Sequence, residues 1–303
     1  MIIANNLTKR FSGVVALDNL SCHIQDGCVY GLVGANGAGK STFLRLASGV
    51  YRPDAGSIKF NNEDIYENIG VKKRFVFVSD DFWALPQSSM RRMADLYAST
   101  YDSFDFKRFT ALSKEFGLPT DRTLSTFSKG MRRQAATILA LSSCAEYLFF
   151  DETFDGLDPV MRGLVKQKLY AEVFDRGATV IITSHSLREL EDTCDQLALL
   201  YKGGIVLESD VGDLKTSLFK LQVAFAEEYD QSVFEGLNVL AQTRQGSVST
   251  LIVRGDKEKS RALLTAKNPL LLEALPVTLE EVFVYEMEAL GYAFDTAEGG
   301  NKA

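Results

Sequence analysis

The amino-acid sequence predicts an α/β fold built on a doubly wound, mostly parallel sheet. Apolar, β-rich runs alternate with helix-like segments up to about residue 208, which is the pattern of strand–helix–strand units. The runs that begin at residues 29, 147 and 178 are almost continuously apolar, as parallel strands covered on both faces are. A glycine-rich stretch, GANGAGKST, follows the first run and opens a helix-like segment. Ligands bind at this kind of strand–helix junction in such sheets.

The elements can be assigned in chain order. Strands are predicted at 29–34, 57–60, 74–79, 147–151 and 178–184. Helices are predicted at 40–49, 88–100, 105–117, 130–143, 159–175 and 187–194. A hairpin is predicted at 197–208, with its turn at Gly203-Gly204. The segment between the strands at 74–79 and 147–151 is too long for one crossover helix, so 82–143 is interpreted as an inserted helical subdomain of a domain that covers residues 1–212.

The pattern changes in the last third of the chain. Residues 213–292 are predicted to form the elements β-α-β-β-α-β, followed by an amphipathic helix. This order is typical of a small α+β domain of the ferredoxin-like type. Residues 293–303 are expected to be disordered.

The amino-acid composition argues against several classes of protein. Apolar content of 46% and charged content of 24% are ordinary for a soluble globular protein. No run approaches the ~18 apolar residues of a transmembrane helix, and the first residues lack the order of a signal peptide. The net charge of −7 argues against nucleic acid as the main partner. The four cysteines lack C-x-x-C spacing and there are only two histidines, so reduced cysteines of a cytosolic protein are expected rather than a metal site or disulfides.

The glycine-rich stretch matches the phosphate-binding motif G-x-x-x-x-G-K-[ST]. Its backbone N–H groups can surround an anion, Lys40 can reach the outer phosphates, and the Ser41 hydroxyl can hold Mg²⁺. The candidate nucleotide-binding residues are Gly34, Asn36, Gly37, Ala38, Gly39, Lys40, Ser41 and Thr42. The motif predicts binding of a nucleoside triphosphate but does not say what the nucleotide drives.

Polar residues end two of the other predicted strands. Asp151 and Glu152 close the run YLFFDE, and His185 closes ATVIITSH. One acid can hold Mg²⁺ while the other accepts a proton from the water that attacks the γ-phosphate. His185 can hydrogen-bond the γ-phosphate or that water. The alternative is that the acids are solvated at a strand end and the histidine is structural.

The segment FSKGM offers a second anion-binding helix end. Ser128 is a favourable N-cap for an Ala- and Leu-rich helix, and the first N–H groups near Gly130 favour an anion. Two anion sites far apart in one chain would be explained if two subunits sandwich one nucleotide. A simple capped helix is the alternative.

These motifs, in this order, make the first 210 residues resemble the ATP-binding subunit of an ABC transporter. In that family GANGAGKST is the Walker A loop and YLFFDE the Walker B strand. FSKGM is similar to the signature sequence, with Ser128, Lys129, Gly130 and Met131 in its place. GLDP matches the D-loop with Asp158, His185 matches the switch histidine, and Phe11 falls where an aromatic ring stacks on adenine.

The resemblance implies a function and its partners. We expect a P-loop NTPase cassette with an antiparallel β subdomain and a helical subdomain, which hydrolyses ATP with Glu152 as catalytic base and His185 beside it. Mg²⁺ would be held by Ser41 and Asp151, with Asp80 as a further candidate. Two cassettes, identical or related, would close head to tail on two Mg·ATP and drive a separate membrane permease, which the helical insertion would grip. The cassette would then lie peripherally on the inner face of the cell membrane.

Two departures from the family pattern matter. Asp80 stands about where the family has a glutamine, which makes coupling to the membrane subunit unusual or the register different. FSKGM has lysine and methionine where glycine and glutamine are commoner. The C-terminal stretch PVTLEEVFVYEME resembles the tails of cassettes that serve ABC-2-type exporters, including those linked to peptide-antibiotic resistance, which favours export over import.

Three other classes of nucleotide-binding protein are alternatives to a transporter subunit. A soluble ABC-type ATPase acting on ribosomes or DNA usually has two cassettes or a long coiled coil, and this chain has neither. A P-loop kinase or GTPase leaves FSKGM and His185 unexplained. A regulatory cassette with low turnover is motivated by Asp80, and steady-state phosphate release separates it from the transporter subunit.

Overall fold

The computed structural model describes residues 1–227 and 229–289. It divides into two compact units, with the boundary between Glu208 and Ser209. The predicted boundary lies a few residues later, between 212 and 213. The predicted disordered tail at 293–303 lies outside the described residues.

A six-stranded, mostly parallel sheet forms the centre of the first unit. Its strand order is β10-β9-β3-β8-β7-β6. The strands are β3 (Val29–Val33), β6 (Phe75–Val78), β7 (Tyr147–Asp151), β8 (Thr179–Ser184), β9 (Gln196–Tyr201) and β10 (Gly204–Asp210). Every residue of β3, β7 and β8 is buried, which explains why their sequences are continuously apolar. The fold class predicted from the sequence is therefore confirmed.

The register of the central strands brings three loops together. Val33 pairs with Ser184, and Asp151 pairs with Thr183. Since these strands are parallel, their carboxyl ends meet at one edge of the sheet. The residues that follow them, including Glu152 and His185, therefore start from the same edge.

The first unit also contains a four-stranded antiparallel sheet. Its order is β2-β1-β4-β5. The strands are β1 (Ile2–Phe11), β2 (Val14–Ile24), β4 (Ala55–Phe60) and β5 (Glu63–Asp64). The predicted strand at 57–60 therefore belongs to this sheet and not to the parallel one. Its burial alternates along the chain, as in a strand with one covered face.

Seven helices are described in the first unit. They are α1 (Lys40–Ala47), α2 (Ile69–Lys72), α3 (Met90–Thr100), α4 (Phe106–Glu115), α5 (Lys129–Ser142), α6 (Pro159–Arg176) and α7 (Leu187–Glu191). The helices α3, α4 and α5 fill the segment between β6 and β7, where the helical insertion is predicted. Side chains of Ser89, Asp105, Ser128 and Asp158 cap α3 to α6 by accepting backbone N–H groups. These helices therefore begin at or near the predicted positions.

A buried ion-pair cluster joins α4 to α6. The Glu172 side chain is fully buried, and its carboxylate contacts the guanidinium groups of Arg108 and Arg176. Arg176 also donates to the carbonyl of Cys144. Because α4 belongs to the helical insertion and α6 packs on the central sheet, this cluster connects the insertion to the central sheet through α6.

The second unit is a four-stranded antiparallel sheet with helices. Its order is β12-β13-β11-β14. Its elements are α8 (Val211–Ser217), β11 (Leu218–Ala224), a 3₁₀ turn (Gln231–Phe234), β12 (Asn238–Gln245), β13 (Val248–Arg254), α9 (Lys257–Thr265), β14 (Leu271–Leu275) and α10 (Leu279–Ala289). The order β-α-β-β-α-β is the ferredoxin-like one, with the first predicted helix reduced to the 3₁₀ turn.

Candidate functional site

The phosphate loop connects β3 to α1. Two of its glycines, Gly37 and Gly39, have φ angles of 82° and 114°, in the range that side chains rarely adopt. A Cβ atom at Gly39 would lie 2.6 Å from the carbonyl oxygen of Ala16, so only glycine fits there. No side chain caps the N-terminus of α1. Its first N–H groups are thus available to an anion.

Lys40 is buried beneath this loop. Its side chain is 5% exposed, and Nζ donates to the carbonyl of Gly34 at 2.7 Å. The same nitrogen lies 3.2 Å from Glu152 Oε1. The ammonium group is therefore held at the cleft between the phosphate loop and the end of β7.

Glu152 is oriented at both carboxylate oxygens. Oε1 faces Lys40, and Oε2 lies 2.8 Å from His185 Nδ1. Its backbone has a φ of 51°, which is uncommon for a residue with a side chain. The Glu152 N–H donates to Thr183 Oγ1 at 3.0 Å. The Thr183 side chain on the neighbouring strand thus holds the backbone of Glu152 at the cleft.

Asp151 is the last residue of β7, with 1% of its surface exposed. Its Oδ1 accepts the Thr183 hydroxyl at 2.6 Å, whereas its Oδ2 has no hydrogen-bond partner among the described residues. A buried carboxylate oxygen without a partner is costly, and a divalent cation would satisfy it. Mg²⁺ sites commonly use one or two carboxylates together with substrate phosphates. Asp151 and the Ser41 hydroxyl fit that pattern, and the described residues contain no larger acidic or histidine cluster for a metal.

A cleft of about 520 Å³ brings most of the predicted nucleotide site together. Its lining includes the predicted residues Asn36, Gly37, Gly39, Lys40, Ser41, Thr42, Asp80, Glu152 and His185. Gly34 and Ala38 are buried within the loop itself. The cleft is also lined by Val14, Val15, Ala16 and Asp155, which the sequence did not single out.

Phe11 is not among the lining residues. It ends β1 opposite Val14, and its ring is 38% exposed with its edge against Tyr51 at 5.2 Å between centroids. The structure therefore places this aromatic ring beside the hairpin turn that leads to Val14 and Val15.

The FSKGM segment lies outside this lining. Ser128 caps α5, its Oγ accepting the Met131 N–H at 3.2 Å. Lys129 Nζ donates to Asp155 Oδ2 at 2.7 Å, and this hydrogen bond lowers the pKa of the Asp155 carboxyl. A Cβ at Gly130 would lie 2.9 Å from the carbonyl oxygen of Gly156. The segment thus packs tightly on the loop that follows Glu152.

Asp158 starts α6. Its Oδ1 accepts the N–H groups of Val160 and Met161, each at 3.0 Å. Its carboxylate therefore has a local role as helix cap, next to Pro159 in the first helical turn.

Arg133 is a further residue that the sequence did not single out. It is 5% exposed, and its guanidinium donates to the Glu152 carbonyl, to Asp80 Oδ1 and to Asp155 Oδ2. These partners are far apart in sequence, so no local motif marks the contact. An acid at position 80 in a site for phosphate was the available signal, because it requires a nearby cation.

Comparison with known proteins identifies relatives among the ATP-binding proteins of ABC transporters. A family profile described as ABC transporter matches residues 17–155. The ABC transporter ATP-binding protein YtrB of Bacillus subtilis is 28% identical over 94% of this chain and 97% of its own length. The Nod factor export ATP-binding protein I of Burkholderia lata is 31% identical over 92% of this chain and 94% of its own. The daunorubicin/doxorubicin resistance ATP-binding protein DrrA of Streptomyces peucetius is 31% identical over 72% of this chain and 67% of its own length.

Solved structures agree in fold. An ATP-binding subunit of an ABC transporter superimposes with a TM-score of 0.66 at 22% identity, covering 71% of this chain and 92% of that one. A dimeric ATP-binding cassette in a post-hydrolysis state, bound to ADP and phosphate, gives a TM-score of 0.62 at 20% identity, covering 70% and 99%. No helix among the described residues is long and apolar enough to cross a membrane.

Proposed function

Because the chain belongs to the ATP-binding subunits of ABC transporters and is an ATPase of that family, we propose that it powers export through a separate membrane permease. The observation that carries the catalytic part is the carboxylate of Glu152, placed between Lys40 and His185 in the cleft. Export is supported by two relatives, one named for Nod factor export and one for daunorubicin/doxorubicin resistance.

In the proposed reaction the phosphate loop and Lys40 bind the phosphates of ATP. Glu152 accepts the proton of the water whose oxygen attacks the γ-phosphorus, and the bond from that phosphorus to ADP breaks. His185 orients the Glu152 carboxylate toward that water. Mg²⁺, held by Ser41 and Asp151, would neutralise charge on the phosphates. Lys40 exchanges its contact with Glu152 for the phosphates, which frees the base.

The proposed active unit is a head-to-tail dimer of cassettes. Ser128, Gly130 and Met131 do not line their own chain's cleft, as expected if they serve the nucleotide of a second subunit. Lys129 and Asp158 belong to the same proposed interface. Phe11, exposed beside the hairpin turn, is available to stack on adenine.

A groove beside the cleft is the proposed contact with the permease. It has a volume of about 330 Å³, lies between the loop after β6 and the start of α5, and includes Asp80, Phe82 and Arg132. The next residue, Trp83, has a large aromatic side chain that is 66% exposed. A cytoplasmic helix of the permease would cover both features.

The test is recovery of partners from detergent-solubilised native membranes, with the full chain as bait and Mg·ATP present. Recovery of a polytopic membrane protein, alone or with a second cassette, is the expected result. Recovery of ribosomes or DNA-bound proteins without a membrane protein would contradict the proposed function. It would support the alternative of a soluble ABC-type ATPase. Steady-state phosphate release by the same preparation tests the alternative of a regulatory cassette with low turnover.

A further inference from the structure

Two carboxylates face the nucleotide cleft besides that of Glu152. Asp80 and Asp155 both line it together with Lys40 and Ser41. Such charges repel the phosphates of a nucleotide. Each acid therefore needs a cation for the nucleotide to bind well.

The two acids obtain their cations from α5. Lys129 contacts Asp155 at 2.7 Å. Arg133, one turn further along the helix, contacts Asp80 Oδ1 and lies 3.3 Å from Asp155 Oδ2. Among the ion pairs of the described residues, Asp80 has Arg133 as its cationic partner. Asp155 keeps Lys129 if Arg133 is replaced, whereas Asp80 does not keep a partner.

The same guanidinium also fixes the backbone of the base. Its other terminal nitrogen donates to the Glu152 carbonyl, next to a backbone with a φ of 51°. A left-handed residue persists only when its surroundings hold it. Arg133 is buried, so its guanidinium has little freedom to leave these partners.

We propose that Arg133 is a positioning residue that neutralises Asp80 and holds Glu152 in the nucleotide cleft. The proposal rests on the proposed ATPase site and deepens it. It explains how a charged Asp80 can occupy a place next to phosphates where the family commonly has a neutral glutamine. Arg133 and Asp80 act as a pair, so the effect of removing one depends on the other.

A double-mutant cycle in the full chain tests the pair. The variants are Arg133→Gln, Asp80→Asn and the combination of both. The dissociation constant is measured with a fluorescent ATP analogue, once with Mg²⁺ and once with EDTA. We expect Arg133→Gln to raise it by about tenfold in both conditions, within the usual range for residues in contact, and the added Asp80→Asn to restore it to within about twofold. Arg261→Gln, the same change at an exposed arginine of α9, should leave it unaltered.

Several outcomes would overturn the proposal. One is a double variant that binds as weakly as Arg133→Gln. Another is an Asp80→Asn chain that binds more weakly only when Mg²⁺ is present, which would make Asp80 a ligand of the metal. If Arg133→Gln fails to fold, as judged by circular dichroism, Asp80→Asn alone decides, because its side chain is 58% exposed. Neutralisation then requires binding as tight as in the unmodified chain, or tighter, in both conditions.

The proposed function is tested apart from the pair. Phosphate release by the unmodified chain, compared with that of Glu152→Gln, shows whether the cleft hydrolyses ATP through this base. A chain that hydrolyses ATP through Glu152 but shows no rescue by Asp80→Asn would reject the role of Arg133 only.

Discussion

His185 Nδ1 lies 2.8 Å from Glu152 Oε2, while Glu152 Oε1 faces the buried Lys40 at 3.2 Å. The two oxygens of this carboxylate are thus separately directed, one by a histidine at the end of β8 and one by the lysine of the phosphate loop. A carboxylate held in this way has a defined orientation, as the proposed role of Glu152 as general base requires.

Replacement of Glu152 by glutamine should abolish turnover while ATP still binds. Glutamine keeps the size of the side chain but cannot accept the proton. A general base contributes about 10²–10⁴-fold in rate, so phosphate release should fall by that factor and an ATP-bound dimer should accumulate in size-exclusion chromatography. Glu63→Gln, a change of an exposed acid in β5, is the control. Undiminished turnover in Glu152→Gln would remove Glu152 from the role of base.

Replacement of His185 by alanine should lower kcat with little effect on ATP binding. The Glu152 carboxylate would lose its partner at Oε2 while Lys40 and the phosphate loop remain. We expect a loss of about 10²-fold in kcat, measured by steady-state phosphate release. His23→Ala, at the other histidine of the chain, which is exposed in β2, should have no effect. Equal losses in the two variants would contradict a specific role for His185.

Replacement of Gly39 by alanine should both strain the phosphate loop and prevent nucleotide binding. The φ of 114° excludes most side chains, and the new Cβ would lie 2.6 Å from the Ala16 carbonyl oxygen. A strained backbone of this kind costs about 1–3 kcal/mol, which urea unfolding can measure. Gly163→Ala is the matched control, because that glycine lies within α6 with no atom near its Cβ position. There alanine should stabilise the chain by about 0.5–1 kcal/mol.

Replacement of Glu172 by glutamine should destabilise the first unit strongly. The carboxylate is fully buried between Arg108 and Arg176, so its loss leaves two guanidinium groups without an anion. Removing one partner of a buried pair costs about 3–5 kcal/mol, and because the two arginines are 27% and 28% exposed we expect the lower end of that range, seen as a lower midpoint in urea unfolding. Glu115→Gln breaks a pair with Lys168 whose acid is 42% exposed, and such pairs contribute about 0–1 kcal/mol. Similar midpoints for the two variants would argue against the cluster as a structural tie.

The sequence predicted the parallel sheet and the phosphate loop because both depend on local signals. The buried strands are mostly apolar, and the loop is defined by glycines at fixed spacing. The first two strands were missed since neither Ile2–Phe11 nor Val14–Ile24 is a continuous apolar run. The strand at Ala55–Phe60 was predicted, but its place in the antiparallel sheet was not, because the sequence of one segment does not determine which strands it pairs with.

Of the side chains that meet at the nucleotide cleft, the sequence predicted some and not others. Glu152 and His185 could be placed because both follow strands whose carboxyl ends share one edge. Arg133 could not, because its contacts join the loop after β6, the end of β7 and the second turn of α5. Such a contact depends on the packing of three elements, and packing geometry leaves no periodic pattern in the chain.

The exposed side chain of Trp83 has a practical consequence. It is the only tryptophan in the chain, and it lies in the same loop as Asp80 with 66% of its surface in water. The tryptophan fluorescence of the unmodified chain therefore comes from one indole, in the residue that follows Phe82 of the groove. A blue shift of its emission when a permease is added would report burial of that ring in real time, without a label and without a mutation.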